Sequence, residues 1–206
     1  LQFTDNGLAT SDLDGVTNVE MVTLGDAATS VTTVDNLVAS DATLTVNAAS
    51  LTASNSLNWD GSAETNGGFI ILGSDQHDTI IGGGGSDTVT AGTGNDTLTG
   101  NAGGDTFILG MNLSSADTID GGDGSDELQF TDSGVATSDL DGVTNVETVT
   151  LGDAATSVSV KDSLVGIGQT LTVSAANLSG TNSLTWDGST ESDGSFNITG
   201  STQDDN

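Results

Sequence analysis

The 206-residue chain has no cysteine, no proline and no tyrosine, and Lys161 is its only lysine or arginine. Without cysteine there is neither a disulfide scaffold nor a thiolate metal site, so cysteine usage leaves the redox compartment unread. One lysine cannot neutralise a phosphate backbone or an anionic lipid surface, because both kinds of binding need clustered basic side chains. Nucleic acid and anionic membranes are therefore excluded as partners. Aromatic residues make up 3% of the chain and hydrophobic residues 33%, which excludes an aromatic-filled globule. No apolar run approaches the length of a transmembrane helix, so membrane insertion is not expected. The sequence opens at Leu1 with neither an initiator methionine nor a signal peptide, and it reads as a piece of a longer protein.

What the chain has in excess is acid. Thirty aspartates and glutamates give a formal charge of −29. Self-repulsion on that scale favours disorder unless cations bind. The 29 glycines are the second excess, and they concentrate in one segment.

The sequence repeats with a period of 127 residues. Leu1-Gln2-Phe3-Thr4-Asp5 returns as Leu128-Gln129-Phe130-Thr131-Asp132, and Ser11 to Glu20 returns unchanged as Ser138 to Glu147. The match continues through Ser56 to Glu64 and Ser183 to Glu191, with roughly two thirds of aligned positions identical. Each copy reads as one unit of a tandem array.

Within each unit apolar residues alternate over short runs, at Val22-Thr23-Leu24, Thr43 to Val46, Ser56 to Trp59 and Phe69 to Leu72. A period of two predicts strands with one buried face. Turn formers separate them at Asp5-Asn6-Gly7, Asp14-Gly15, Gly25-Asp26 and Asp60-Gly61. Ala48 to Leu51 and Ala175 to Leu178 are too short for helices and read as corners.

From Gly73 the register is strictly nine residues: GSDQHDTII, GGGGSDTVT, AGTGNDTLT and GNAGGDTFI, ending at Ile108. Asp78, Asp87, Asp96 and Asp105 hold the sixth place, and Ile80, Val89, Leu98 and Phe107 the eighth. A strand of about three residues buries the eighth side chain, and the six-residue turn before it draws on glycine for unusual backbone angles. Two nonapeptides then make one coil, which places Ile80 over Leu98 and Val89 over Phe107. The same stacking puts Asp78 against Asp96 and Asp87 against Asp105, about 4.8 Å apart. Like charges that close repel unless a cation lies between them. Carboxylates with turn carbonyls supply the six to eight oxygens that calcium prefers, whereas magnesium demands a tighter octahedron. Each shared ion would remove about two negative charges from its coil.

This pattern resembles the GGxGxDxUx repeat of RTX proteins, the calcium-binding parallel β-roll family. Gly82 to Asp87 matches fully, Ala91 to Asp96 lacks the first glycine, Gly100 to Asp105 lacks the second, and Gly73 to Asp78 keeps only the first. After Ile108 the register slips by three, resuming at Asp117-Thr118-Ile119 and then at Gly121 to Leu128, again a full match. Asp205 stands where Asp78 stands in the first unit. The resemblance implies calcium ligands at Asp78, Asp87, Asp96, Asp105, Asp117, Asp126 and Asp205. It adds turn carbonyls at the second and fourth places: Gly83 with Gly85, Gly92 with Gly94, Asn101 with Gly103, and Gly122 with Gly124.

Other residues invite blander readings. Trp59 and Trp186 sit in phase with Leu57 and Leu184 and read as core caps rather than a sugar platform. Asp60-Gly61-Ser62 with Glu64, repeated at Asp187 and Glu191, reads as a turn following a buried tryptophan rather than as a further cation site. His77 reads as a tolerated surface residue. A hydrolytic triad has only His77 to use, cysteine chemistry and zinc-protease motifs are absent, and no carboxylate pair is singled out among thirty acids. The chain is therefore not expected to be an enzyme.

The expected fold is all-β: an elongated, right-handed parallel β-solenoid in which a calcium-binding β-roll continues into β-helix-like coils. Residues 1–72 and 128–199 would form solenoid segments of the two units. Residues 73–127 would form the roll, with a short insertion near 109–116, and 200–206 would begin the next roll. The expected function is a calcium-stabilised structural repeat, binding several calcium ions, in a secreted or cell-surface bacterial protein such as an adhesin stalk, matrix fibre or surface layer. The resemblance also implies export by a type I system. Expected partners are calcium, neighbouring units of the same chain, and copies of the chain in a fibre or layer. A carbohydrate- or ice-binding module and a self-assembling filament subunit are the alternatives. Ice binding needs threonine and asparagine ladders, and the Gly-Thr-Gly-Asn-Asp form occurs once, at Gly92 to Asp96.

Overall fold

Alternating runs too short to bury anything alone must stack on one another, and the chain does so by winding. A computed structural model describes residues 1–3, 7–52, 54–109, 113–130 and 135–206. Among them it has seventeen strands: β1 Met21–Thr23, β2 Thr29–Thr32, β3 Thr43–Asn47, β4 Leu57–Asp60, β5 Gly68–Leu72, β6 Thr79–Ile81, β7 Thr88–Thr90, β8 Thr97–Gly103, β9 Thr106–Ile108, β10 Thr118–Gly124, β11 Glu127–Gln129, β12 Val143–Thr144, β13 Thr148–Thr150, β14 Thr156–Ser159, β15 Thr170–Ser174, β16 Leu184–Asp187 and β17 Ser195–Thr199. All pairings are parallel, as a winding chain requires. The odd-numbered strands β1 to β17 form one nine-stranded sheet, β12-β10-β8-β6-β4-β2 a second, and β14-β16 a third. The protein is a parallel β-solenoid.

Side chains stack in columns along its axis. In the nine-stranded sheet Val22, Val46, Ile71, Val89, Phe107, Leu128, Val149 and Val173 follow one another inward, all at most 2% exposed. In the facing sheet the column is Val31, Trp59, Ile80, Leu98, Ile119 and Val143. The expected stacks of Ile80 on Leu98 and Val89 on Phe107 are both present. Coil length varies along the axis. Val22 to Val46 is 24 residues and Val46 to Ile71 is 25, Ile71 to Val89 and Val89 to Phe107 are 18 each, and Phe107 to Leu128 and Leu128 to Val149 are 21 each. Wide coils thus narrow into a roll and widen again.

Two strands escape the alternation rule. In β2 and β14 the inward residues are Thr29 with Val31 and Thr156 with Val158, and a buried threonine hides the apolar period. β14 also lies beside an irregular segment, whose Val135 and Thr137 carbonyls accept from Ser157 and Ser159. A single 3-10 turn, Asp139–Gly142, precedes β12. The corners at Ala48 to Leu51 and Ala175 to Leu178 are turns, as expected. The expected turn at Asp5-Asn6 lies outside the described residues, as does part of the register slip, at 110–112.

One outward column was not expected. Ser30, Asn58, Thr79, Thr97 and Thr118 line up on the second sheet. The ladder missing from the turns is therefore present on the strands, where small β-branched residues suit a half-buried pleated surface.

Candidate metal centre

Each coil turns twice, so the solenoid has two edges. Turns 82–87, 100–105 and 121–126 cross from the second sheet to the nine-stranded one, and turns 73–78 and 91–96 cross back, as does the segment that ends at 113–117. The register therefore sorts the predicted ligands into two groups. Asp87, Asp105 and Asp126 share the first edge, with Gly83, Gly85, Asn101, Gly103, Gly122 and Gly124. Asp78, Asp96 and Asp117 share the second, with Gly92 and Gly94. Asp205 continues the second edge in the next unit, where it receives the Leu184 amide at 2.8 Å as Asp78 receives that of Leu57.

The aspartates do not simply face one another across the coils. On the first edge the Phe69 amide donates to Asp87 Oδ1 at 2.7 Å, the Asp87 amide to Asp105 Oδ1 at 2.8 Å, and the Asp105 amide to Asp126 Oδ1 at 2.7 Å. On the second edge the Asp78 amide donates to Asp96 Oδ1 at 2.8 Å and the Asp96 amide to Asp117 Oδ1 at 2.7 Å. Each carboxylate thus caps the backbone of its predecessor, which relieves part of the expected repulsion with one of its two oxygens.

The second oxygen separates the two edges. Ser74 donates to Asp78 through both its amide and its hydroxyl, Ser114 does the same for Asp117, and Ser201 for Asp205. A serine four residues before Asp78 and Asp205, and three before Asp117, therefore occupies those carboxylates from within. On the first edge Gly83 donates its amide to Asp87 Oδ2 at 2.7 Å, but Asp105 Oδ2 and Asp126 Oδ2 are buried with no hydrogen-bond partner. The residues are 2% and 1% exposed. A buried charged oxygen without a partner costs several kcal/mol (~1–3 or more), and a bound cation removes that cost. The donor set is oxygen only, as calcium requires.

The turns around these oxygens leave no room for side chains. Gly103 has φ +136°, and a Cβ there would strike the Gly85 carbonyl one coil below. Asn101, in place of the expected glycine, adopts a left-handed φ of 76° and turns its amide onto the Gly82 carbonyl at 2.9 Å. Asparagine tolerates that conformation better than other non-glycine residues.

Burial pushes Asp87 up to about 6, and Asp96 and Asp105 up to about 7, with like charge adding to the effect, from neighbouring rungs at Asp96 and Asp105 and from Glu64 at Asp87. Two aspartates elsewhere behave in the opposite way. Asp26 and Asp153 are held below their ordinary value by hydrogen bonds from Thr52 and Asn55, and from Ser179 and Asn182. These are structural clasps, whereas Asp87, Asp96 and Asp105 resist ionisation. Because the folded-state values are raised, their contribution to the metal-free fold is fully present below about pH 4 and is lost as pH rises through 6 to 7. Calcium must displace those protons. Lowering pH from 8 to 6 is thus expected to raise the calcium concentration needed for half-maximal folding, while the chelated chain gains structure; circular dichroism at both pH values checks both directions.

The family model of the RTX calcium-binding nonapeptide repeat matches residues 71–108 and 113–129, in four copies. These residues are RTX repeats. RTX nonapeptide repeats bind calcium ions, and the free oxygens of this chain lie in the matched turns. No curated protein and no solved structure matches the chain. RTX repeats are typical of secreted proteins, and no helix among the described residues is long and apolar enough to cross a membrane.

Three groups of acids lie outside the predicted ligand set. Glu64 is fully buried and accepts from the Val38, Asn66 and Gly67 amides, which makes it a structural clasp. Asp162, Glu191 and Asp193 bring carboxylate oxygens within 4.8 Å of one another at the corresponding place of the second unit. Glu147 stands in the ladder itself, receiving the Asp126 amide at 2.8 Å. Sixth-place counting cannot find Glu147, because it stands outside the nonapeptide register.

Proposed function

We propose that this chain is a calcium-stiffened structural repeat of an extracellular or cell-surface bacterial protein, one unit of an adhesin stalk, fibre or surface layer. The observation that carries the reading is the pair of buried, unpartnered oxygens on Asp105 and Asp126 inside glycine turns. In this reading calcium is held on the first edge by Asp87, Asp105 and Asp126 with the carbonyls of Gly83, Gly85, Asn101, Gly103, Gly122 and Gly124. The second edge binds more weakly, through Asp96 with Gly92 and Gly94, because serine already occupies Asp78, Asp117 and Asp205. Residues 73–127 act as the metal-dependent roll, and 1–72 and 128–199 as spacers with a continuous apolar core.

The mechanism couples folding to location. At low calcium the acidic ladder opposes collapse and the chain leaves the cell unfolded, through a type I system. In extracellular calcium, ion binding available only to the folded state shifts the equilibrium. A tandem solenoid contacts only its neighbours, so stiffness propagates from unit to unit. No catalytic step enters this function.

The test is a calcium titration of the chain by far-ultraviolet circular dichroism with magnesium as control. A cooperative, calcium-selective gain of β structure is expected. A chain equally folded in chelator, binding no calcium, would overturn the reading.

A further inference from the structure

The first-edge ladder does not stop at the last nonapeptide. The Asp126 amide donates to Glu147 Oε2 at 2.8 Å, the same rung that Asp87 makes to Asp105 and Asp105 to Asp126. Glu147 belongs to the next repeat unit, so the ladder crosses the boundary at 127/128.

The backbone at this rung is open where the others are covered. β10 pairs with β8 as far as Gly122 on Asn101 and Gly124 on Gly103, but on its other side β12 pairs only with Ile119 and Asp120. From the inward residue of one sheet to that of the next the chain takes six residues here, from Val143 to Val149, against nine from Ile119 to Leu128. The missing length leaves a cavity walled by Gly122, Asp123, Gly124, Asn145, Glu147 and Gln169. Asp126 Oδ2 is buried and without a partner. A Cβ on Gly121 would meet both that oxygen, at 2.7 Å, and the Asn145 carbonyl. Asn145 itself is left-handed, with φ 51°, which swings the chain into the short turn.

The geometry points to a calcium site at the unit boundary, in which Glu147 of one unit joins Asp126, Asp123 and the Gly122 and Gly124 carbonyls of the preceding one. It rests on the calcium reading above and adds a ligand that the nonapeptide pattern does not contain. Glu147 is held at this rung from both sides, its own amide donating to the Asp126 carbonyl at 3.1 Å while its carboxylate accepts the Asp126 amide. An ion there ties two units together, so that calcium rigidifies the joint as well as the roll. Glu20, the same residue in the first unit, is exposed and has no nonapeptide turn before it within these 206 residues.

Calcium stoichiometry of the whole chain, counted by native mass spectrometry and equilibrium dialysis, decides the matter. Glu147→Gln keeps an oxygen for the Asp126 amide but loses the charge, and it should bind one ion fewer with the remaining affinities unchanged. Asp123→Asn, an exposed change that leaves the ladder intact, should weaken one site roughly tenfold. Glu20→Gln should match the parent. An unaltered ion count and unaltered affinities in both Glu147→Gln and Asp123→Asn would overturn the boundary site while leaving the roll standing. A parent chain that binds no calcium would overturn both.

Discussion

Replacing Asp105 by alanine is expected to abolish most calcium-induced folding of the nonapeptide segment. The residue has two jobs on two oxygens: Oδ1 accepts the Asp87 amide at 2.8 Å, and Oδ2 is the buried oxygen left for the ion. Alanine strands the Asp87 amide in the interior, at about 1–3 kcal/mol. It also removes the stabilisation from any ion the carboxylate shares, about 2.7 kcal/mol when calcium is a hundredfold above its dissociation constant. For a marginally stable repeat the two losses together suffice to unfold the roll at millimolar calcium. Asp105→Asn separates them, because its amide oxygen still accepts from Asp87. Asparagine should therefore retain more structure in chelator than alanine does, yet respond to calcium as poorly. Titration of both variants by circular dichroism reads the difference, and an alanine variant with the parent's calcium midpoint would exclude the role.

The second large effect is expected at Trp59. This side chain is fully buried between Val31 and Ile80 in its column and meets Phe69 edge-on, with ring centroids 5.5 Å apart. The pair fills the last wide coil before the 18-residue coils begin, where small residues would leave a void. Phe69 in turn lies on Gly61, whose missing side chain makes room for the ring edge. Trp59→Ala should cost about 3–5 kcal/mol, the range for deleting a large aromatic from a core. Trp59→Phe should cost much less, because the indole N–H has no partner and its removal relieves an unsatisfied donor. Trp186 makes the same contact with Phe196 at 5.6 Å but is only partly buried. Trp186→Ala should accordingly cost about 1–2 kcal/mol. Urea denaturation of the three variants in calcium gives the ranking, and equal losses at Trp59 and Trp186 would refute it.

The sequence by itself determined the class of fold and the register of the acidic turns. Alternation at Thr43 to Val46 and Phe69 to Leu72 can only bury one face of a strand, and a nine-residue register with aspartate at the sixth place can only stack at intervals of eighteen. Those are local periodicities, legible without any contact. β2 and β14 were not legible, because a threonine buried by its neighbours looks like a polar residue until the stack exists. The same limit applies to the acids. Asp26, Asp105 and Asp117 are one residue type in similar turns. Only the tertiary structure satisfies the first with Thr52 and Asn55, fills the third with Ser114, and leaves Oδ2 of the second without a partner. Glu147 joins the ladder for the same reason. Periodicity fixes which residues stack, whereas the role of a carboxylate depends on which donors reach it, from its own turn, as Ser114 does for Asp117, or from a neighbouring coil 18 to 29 positions away, as for Asp105 and Asp26.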